Sequence, residues 1–332
     1  MPLFNCVNGI DIPEIVCALP SQKFSLHEYA PNLVNEKTAK RMARETGFYS
    51  LSIAPEEITT ADLFAFAAEK LLSHYNREKI SALVFVTKTP DYDLPATSHI
   101  LQNRLGLSNN ILCIDINEGC SGFIKGLYIA ASLSRQTGAS VLLGCGDTNS
   151  KIASPDDRAT RCIYGDGAAA ILVTPGNQNV PFAFASYGEN YDAIIIENSR
   201  GRITKNPRNN GYISLDGIEI LNFSLNEVPE VINDFLSANN LNDENISLYA
   251  CHQANKLIIN SLADKLKVSN EKMPFNLGDI GNISSASIPL VMARSDKSNL
   301  PNVLCCGFGV GLAVGTCLAN FSGTNFTEVY LS

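Results

Sequence analysis

Along the chain, short uninterrupted apolar runs alternate with longer stretches in which apolar residues recur every three or four positions. Runs of the first kind read as buried strands and stretches of the second as amphipathic helices, so the pattern predicts an α/β protein. Strands are expected at 10–19, interrupted by Pro13, and at 82–87, 111–114, 141–145, 167–174, 182–186, 193–197, 248–251 and 303–306. Helices are expected at 25–44, at 60–75 behind the capping residues Thr59 to Asp62, at 99–105 after Leu94-Pro95, from Cys120 through Leu133, and at 219–236 and 256–266. Residues 303–321 are apolar and uncharged, which invites a membrane span. Glycines at 307, 309, 311 and 315 argue instead for two buried strands joined by a tight turn. The Pro/Gly/Asn segment 175–180 reads as a linker that divides the chain into halves, 1–175 and 176–332. The polar, basic segment 198–211 reads as an exposed loop and a candidate lid.

The halves echo each other. Ala82-Leu83-Val84-Phe85 matches Ser247-Leu248-Tyr249-Ala250, and Gly119-Cys120-Ser121 matches Ser284-Ser285-Ala286. Val141 to Gly146 matches Val303 to Gly307, and Gly167 to Leu172 matches Gly311 to Thr316. Each match is short, but all four keep one order, which argues for an internal duplication of an alternating α/β unit.

Composition narrows the setting. The chain has 332 residues, 45% of them apolar, and a net charge of −8, which argues against a broad nucleic-acid-binding surface. Its ten cysteines lie mostly in apolar strands, and no spacing resembles a metal site. Without a signal peptide pattern they read as reduced thiols of a cytoplasmic protein. Lys37, Lys40, Arg41 and Arg44 form a local basic cluster, read first as a solvated helix face and second as a contact for a phosphate or an acidic carrier protein.

The chemistry gathers at three places. Cys120 stands where a strand turns into a helix, among Gly119, Ser121 and Gly122; free N–H groups and the helix dipole favour thiolate there, and small neighbours admit a substrate. A buried structural cysteine is the competing reading. His252 ends a predicted strand, and Asn282 precedes a helix of small residues. The duplication brings both sets of strand ends to one centre, where Cys120, His252 and Asn282 can meet. A thiolate attacks thioesters. A His and an Asn side by side can donate two hydrogen bonds to an enolate oxygen, and the backbone N–H groups of the 307–311 run, Val310 among them, can join that of Cys120 as an oxyanion hole. His27, His74 and His99 read as surface or structural. The order Cys, His, Asn is also that of papain-like peptidases, but the local sequence around Cys120 does not fit.

At these residues the chain resembles the β-ketoacyl-acyl-carrier-protein synthase III family of the thiolase superfamily. The matching segments are Cys120-Ser121-Gly122-Phe123, Asp157-Arg158-Ala159-Thr160, Gly165-Asp166-Gly167-Ala168, His252-Gln253-Ala254-Asn255, Gly281-Asn282 through Pro289, and Gly307-Phe308-Gly309. The resemblance implies a homodimer with a duplicated, five-layered αβαβα fold and mixed sheets. It implies acylation of Cys120 from coenzyme A or an acyl carrier protein, then decarboxylative condensation with a malonyl thioester, with His252 and Asn282 on the enolate. Arg158, Asn255, Lys256, Leu94 and Phe308 would contact substrate; no metal and no tightly bound cofactor is implied. The chain also departs from the pattern. It has no Trp, Arg41 standing where an adenine-stacking Trp is common; Glu45 and Leu257 replace arginines; Glu118 interrupts a small-residue run; Leu94 replaces an aromatic. Weakened coenzyme A contacts point to a specialised relative in a secondary pathway, with a carrier protein as a candidate donor. A non-condensing acyltransferase on the same fold is the alternative.

Overall fold

The computed structural model describes residues 1–296 and 300–332. In chain order the first half runs β1 (Leu3–Pro20), β2 (Lys23–Ser25), α1 (Leu26–Tyr29), α2 (Glu36–Thr46), β3 (Ser50–Ser52), α3 (Thr60–Leu72), β4 (Ile80–Val86), α4 (Thr97–Arg104), β5 (Leu112–Ile116), α5 (Gly122–Thr137), β6 (Ser140–Thr148), α6 (Arg158–Arg161) and β7 (Asp166–Ser186). The second runs β8 (Ile194–Ile196), β9 (Ile213–Leu215), α7 (Gly217–Ala238), β10 (Leu248–Cys251), α8 (Lys256–Leu266), α9 (Ser287–Arg294), β11 (Val303–Gly309), β12 (Ala313–Ala319) and β13 (Asn325–Leu331).

Three corrections follow at once. Residues 175–180 are not a linker but lie inside β7, where Ile10 faces both Pro175 and Gln178 across a bulge. A bulge absorbs the proline and glycine without ending the strand. The strand expected at 10–19 likewise runs unbroken through Pro13 as part of β1. The helix expected at 25–44 is two: Pro31 follows the first, and Asn35 starts the second by accepting from Thr38 N at 2.9 Å.

β1 and β7 are long because each serves both halves. Strands β5, β4 and β6 lie parallel, β6 runs antiparallel to the first part of β7, and that part pairs with the second part of β1, which lies beside β13. The other half repeats the pattern: β10 lies parallel to β11, β11 antiparallel to β12, and β12 antiparallel to residues 182–186 of β7, whose end pairs with the start of β1. The sheets are thus mixed, and the central strands of the two halves follow one order, although among the described residues no strand lies beside β10 as β5 lies beside β4.

Side chains of the central strands alternate between two cores. Val84, Val86, Leu143, Cys145, Ala250 and Cys305 point to a middle layer filled by α5 and α9. Leu83, Phe85 and Leu142 point outward to α3 and α4, while Tyr249, Cys251, Leu304 and Cys306 point outward to α7 and α8. Strands covered on both faces read as continuous apolar runs, which is the signal the sequence carries. The layers are therefore helix, sheet, helix, sheet, helix. Gly122 and Gly126 let α5 lie against β4: a Cβ on either would stand 2.6 Å from Val86. Residues 303–321 form β11, β12 and the turn between them, and no helix among the described residues is long and apolar enough to cross a membrane.

Candidate active site

Cys120 lies two residues ahead of α5, in the turn after β5, and is buried. The end of β11 closes over it. Gly307 stands so near that a Cβ there would be 2.8 Å from the Cys120 carbonyl oxygen. Gly309 has φ 145°, and a Cβ on it would come within 3.0 Å of Cys120 Sγ. Only glycine combines that backbone with that approach. Val310 follows in the turn, with its side chain against Gly119.

The duplicated topology delivers His252 from the end of β10 and Asn282 from the loop before α9, both buried. The His252 ring is held from one side by hydrogen bonds and from another by Phe308, edge to face at 5.6 Å. Its Nδ1 lies 2.9 Å from Ser287 Oγ and 3.2 Å from Ser284 O. Because the Ser287 hydroxyl itself donates to Ser284 O at 2.7 Å, both neighbours of Nδ1 are acceptors, and Nδ1 carries a hydrogen. Nε2 is left for the site. The Asn282 backbone is clamped by Ile163 O and Gly165 N, and its side-chain Oδ1 accepts from Ser284 N at 2.9 Å. That bond assigns the amide: the NH2 group keeps its two donors for a ligand.

A polar network that the sequence reading missed lies beneath the nucleophile. Lys88, just past β4, is nearly buried and places Nζ 2.8 Å from Asp147 Oδ2, 2.6 Å from Asn149 Oδ1 and 3.0 Å from Ser284 Oγ. Ser284 Oγ in turn lies 4.0 Å from Cys120 Sγ. Burial alone would push the Cys120 thiol up. The neighbouring His252 ring, the Lys88 charge and the Ser284 hydroxyl outweigh burial and bring it down to about 7. Elsewhere the balance runs the other way: burial holds the thiols of Cys145 and Cys305 well above the ordinary range, and a hydrogen bond with Cys251, then burial, does the same for Cys306. Among the buried thiols so perturbed, Cys120 alone is shifted toward thiolate.

The other expected contacts are scattered. Phe308 is buried and supports His252. Asn255 caps α8 by accepting from Ile258 N at 2.8 Å. Lys256 lines a cavity of about 510 Å³ with Arg44, Gly47, Tyr49, Phe275 and Asp279. Arg158 stands exposed at the start of α6, and Leu94 is 86% exposed on the loop after β4. Glu118 is occupied by Lys125 and by the Ser121 hydroxyl, so it faces a partner other than Cys120. Arg41 pairs with Glu45 at 3.9 Å, and Lys40 with Glu36 at 4.0 Å, on a helix with no buried residue, as the solvated-face reading expects. A second cavity, about 390 Å³, adjoins the site beside Lys88 and Val310 and is lined by Ile194, Ile213, Asn117 and the basic loop carrying Arg200 and Arg202. The 198–211 loop therefore does border a cavity, held to the 88–96 loop by Arg200 and Asp93 at 2.5 Å.

A thiol poised near neutrality, a fixed His and Asn, and a duplicated thiolase-like scaffold define an acyltransferase. Comparison with known proteins agrees. Residues 114–188 match the model of 3-oxoacyl-[acyl-carrier-protein] synthase III, and residues 236–321 match that of its C-terminal part. A β-ketoacyl-[acyl-carrier-protein] synthase III of Clostridium perfringens is 34% identical over 289 residues, covering 82% of this chain and 88% of its own. A crystal structure of 3-oxoacyl-(acyl-carrier protein) synthase from Burkholderia xenovorans, 28% identical, superposes with a TM-score of 0.94 over 99% of both chains. The priming β-ketosynthase of the R1128 polyketide pathway shares the fold at 24% identity and a TM-score of 0.83, over 94% of this chain and 97% of its own. The chain belongs to the β-ketoacyl-acyl-carrier-protein synthase III family of the thiolase superfamily.

Proposed function

We propose that this chain acylates Cys120 from an acyl thioester and condenses the acyl group with a malonyl thioester. The observation that carries the reading is the assigned Asn282 amide, whose Oδ1 is taken by the N–H of Ser284, the residue whose carbonyl meets His252 Nδ1, so that the NH2 keeps its donors for a ligand. In the first half-reaction the Cys120 thiolate attacks the thioester carbonyl. The oxyanion rests on the N–H groups of Cys120 and Val310, and the carrier thiolate leaves and takes up a proton. In the second, the malonyl carboxylate departs as carbon dioxide and its bonding pair becomes an enolate, held by Nε2–H of a protonated His252 and by the Asn282 amide. The enolate carbon attacks the acyl carbonyl on Cys120. Collapse returns the Cys120 thiolate and releases a β-ketoacyl thioester.

The halves divide this work, 1–175 supplying the nucleophile and 176–332 the His and Asn. The 390 Å³ cavity takes the acyl group, and its polar border suits short or polar acyl groups over long aliphatic ones. The cavity carrying Arg44 and Lys256 faces the incoming carrier. Pairing of Arg41 with Glu45 supports a weak grip on the coenzyme A nucleotide, hence a carrier-protein donor and a specialised fatty acid, polyketide or secondary-metabolite pathway. Leu94 and Ile203, 86% and 84% exposed on loops joined by the Arg200–Asp93 pair, support a homodimer through that face.

The test is intact-protein mass spectrometry of wild type and Cys120→Ala with a panel of acyl-coenzyme A and acyl-carrier thioesters, with and without malonyl donor. An adduct on wild type only, discharged by the malonyl donor with carbon dioxide release, is expected. An adduct that no malonyl donor discharges would favour a non-condensing acyltransferase.

A further inference from the structure

We propose that Lys88 is a positioning residue of this site, a fixed cation that stabilises the Cys120 thiolate through Ser284, so that the nucleophile does not depend on His252 alone. The proposal rests on the reading of Cys120 as the nucleophile. Lys88 reaches the centre because it follows the end of β4, a strand whose counterpart in the other half, β10, delivers His252. Its ammonium has three acceptors for its three protons: Asp147 Oδ2 at 2.8 Å, Asn149 Oδ1 at 2.6 Å and Ser284 Oγ at 3.0 Å. A Ser284 oxygen that accepts from Lys88 has its own proton to give, and Cys120 Sγ lies 4.0 Å away. The line from Asp147 through Lys88 and Ser284 to the thiol is unbroken.

A purely structural ion pair would not need this arrangement. Asp147 also accepts from Lys88 N at 2.8 Å and from the Thr87 hydroxyl at 3.0 Å. Burying an ammonium beside it is costly, and the geometry turns that charge toward the nucleophile instead of away from it. The same ammonium holds Asn149, whose Nδ2 donates to Asn282 O at 3.0 Å, and Ser284, whose N–H fixes Asn282 Oδ1. One cation thus braces both the thiolate and the amide of the second half-reaction. The titratable and charged groups around the thiol are Lys88 and Asp147 from the ends of β4 and β6, His252 after β10 and Tyr164 ahead of β7. Of these, Lys88 and His252 favour the thiolate. With Lys88 in place, the thiolate keeps a cation beside it while His252 keeps its Nε2–H for an enolate oxygen.

The experiment measures the pH dependence of Cys120 carboxamidomethylation by iodoacetamide, located by peptide mapping, in the full-length protein. Variants are Ser284→Ala, Lys88→Arg, Lys88→Met and Lys88→Met combined with Asp147→Asn. Loss of a cation at this range should raise the midpoint by about one unit and slow labelling at pH 7 roughly fivefold in both Lys88→Met backgrounds. Ser284→Ala, which leaves the ion pair intact, should give a smaller shift in the same direction, and Lys88→Arg should restore most of the wild-type profile. A merely structural lysine would lower the melting temperature and leave the midpoint unchanged; an unshifted midpoint in Ser284→Ala and in the double variant overturns the proposal. Should Lys88→Met fail to fold, Ser284→Ala decides. A wild type in which Cys120 is not labelled preferentially would instead sink the nucleophile assignment.

Discussion

Replacing Asn282 by alanine separates the two half-reactions. The side chain has two ends: Oδ1 accepts from Ser284 N at 2.9 Å, and Nδ2 keeps its donors for a ligand. Alanine removes both, whereas aspartate keeps the acceptor and replaces the donor by a second carboxylate oxygen. If Nδ2–H steadies the enolate, its loss forfeits one preorganised donor, worth about 2.7–4 kcal/mol or about 100- to 1000-fold in rate. The penalty falls on condensation alone, because acylation builds charge at the oxyanion hole and not at Asn282. Asn282→Asp should suffer at least as much, since a carboxylate repels the enolate, although Ser284 remains anchored. Single-turnover mass spectrometry reads acylation of Cys120, and release of labelled carbon dioxide from a malonyl thioester reads decarboxylation. Acylation within about threefold of wild type with decarboxylation down a hundredfold is the expected pattern for Asn282→Asp. Equal losses in both half-reactions for that variant would refute the assignment and make Asn282 a brace for Ser284.

Gly309→Ala should abolish acylation while the protein still folds, because the new Cβ would sit 3.0 Å from Cys120 Sγ and 2.9 Å from its Cβ at a φ of 145°; an acyl adduct formed at wild-type rate would contradict this. Ser287→Ala removes the 2.9 Å acceptor of His252 Nδ1 and should slow condensation about tenfold, roughly the worth of one such bond, with acylation less affected; burst kinetics against steady-state turnover distinguishes the two. The acylation rate should rise with pH through about 7 and level off above it, because the group lowered from its usual range is a thiol and the reactive form is the one that has lost the proton; a midpoint near 9 in a stopped-flow assay of thiol release would show that the site does not activate Cys120.

Much of this site is legible from the order of residues, and the reason is the duplication. Once the strand at 82–87 is equated with the one ending at His252, and the turn at Cys120 with the segment at Ser284 to Ala286, the topology requires that they converge. The central strands were readable as apolar runs because both of their faces are buried, as with Leu83 and Val84 or Leu304 and Cys305, which point to different cores. The 175–180 segment was misread because a bulge and a linker use the same residues: proline, glycine and asparagine relax a backbone whether or not its neighbours stay paired. The broken helix at 25–44 was misread because polar composition suits a helix on either side of Pro31, which stands between α1 and α2.

Lys88 shows what the duplication still offered. It sits one residue beyond Thr87, the position equated with His252, so the argument that brings His252 to the centre brings Lys88 there too. A lysine beside a strand end reads as a surface residue because most are, and no local pattern distinguishes this one. The distinguishing facts are its three acceptors, and they come from β6 (Asp147), the segment after it (Asn149) and the loop before α9 (Ser284). Asn149 is unremarkable in sequence, and Ser284 stands out there only as a counterpart of the Cys120 turn. Their meaning is pairwise: each binds Lys88 on one side and Asn282 on the other. A nucleophile and its partners can be found by matching residue types to a reaction. The groups that set its charge are found only when the distances close a ring, here Lys88, Asn149, Asn282 and Ser284. The chemistry of this chain is therefore divided between residues that belong to the family's pattern and a cation whose role follows from where β4 ends.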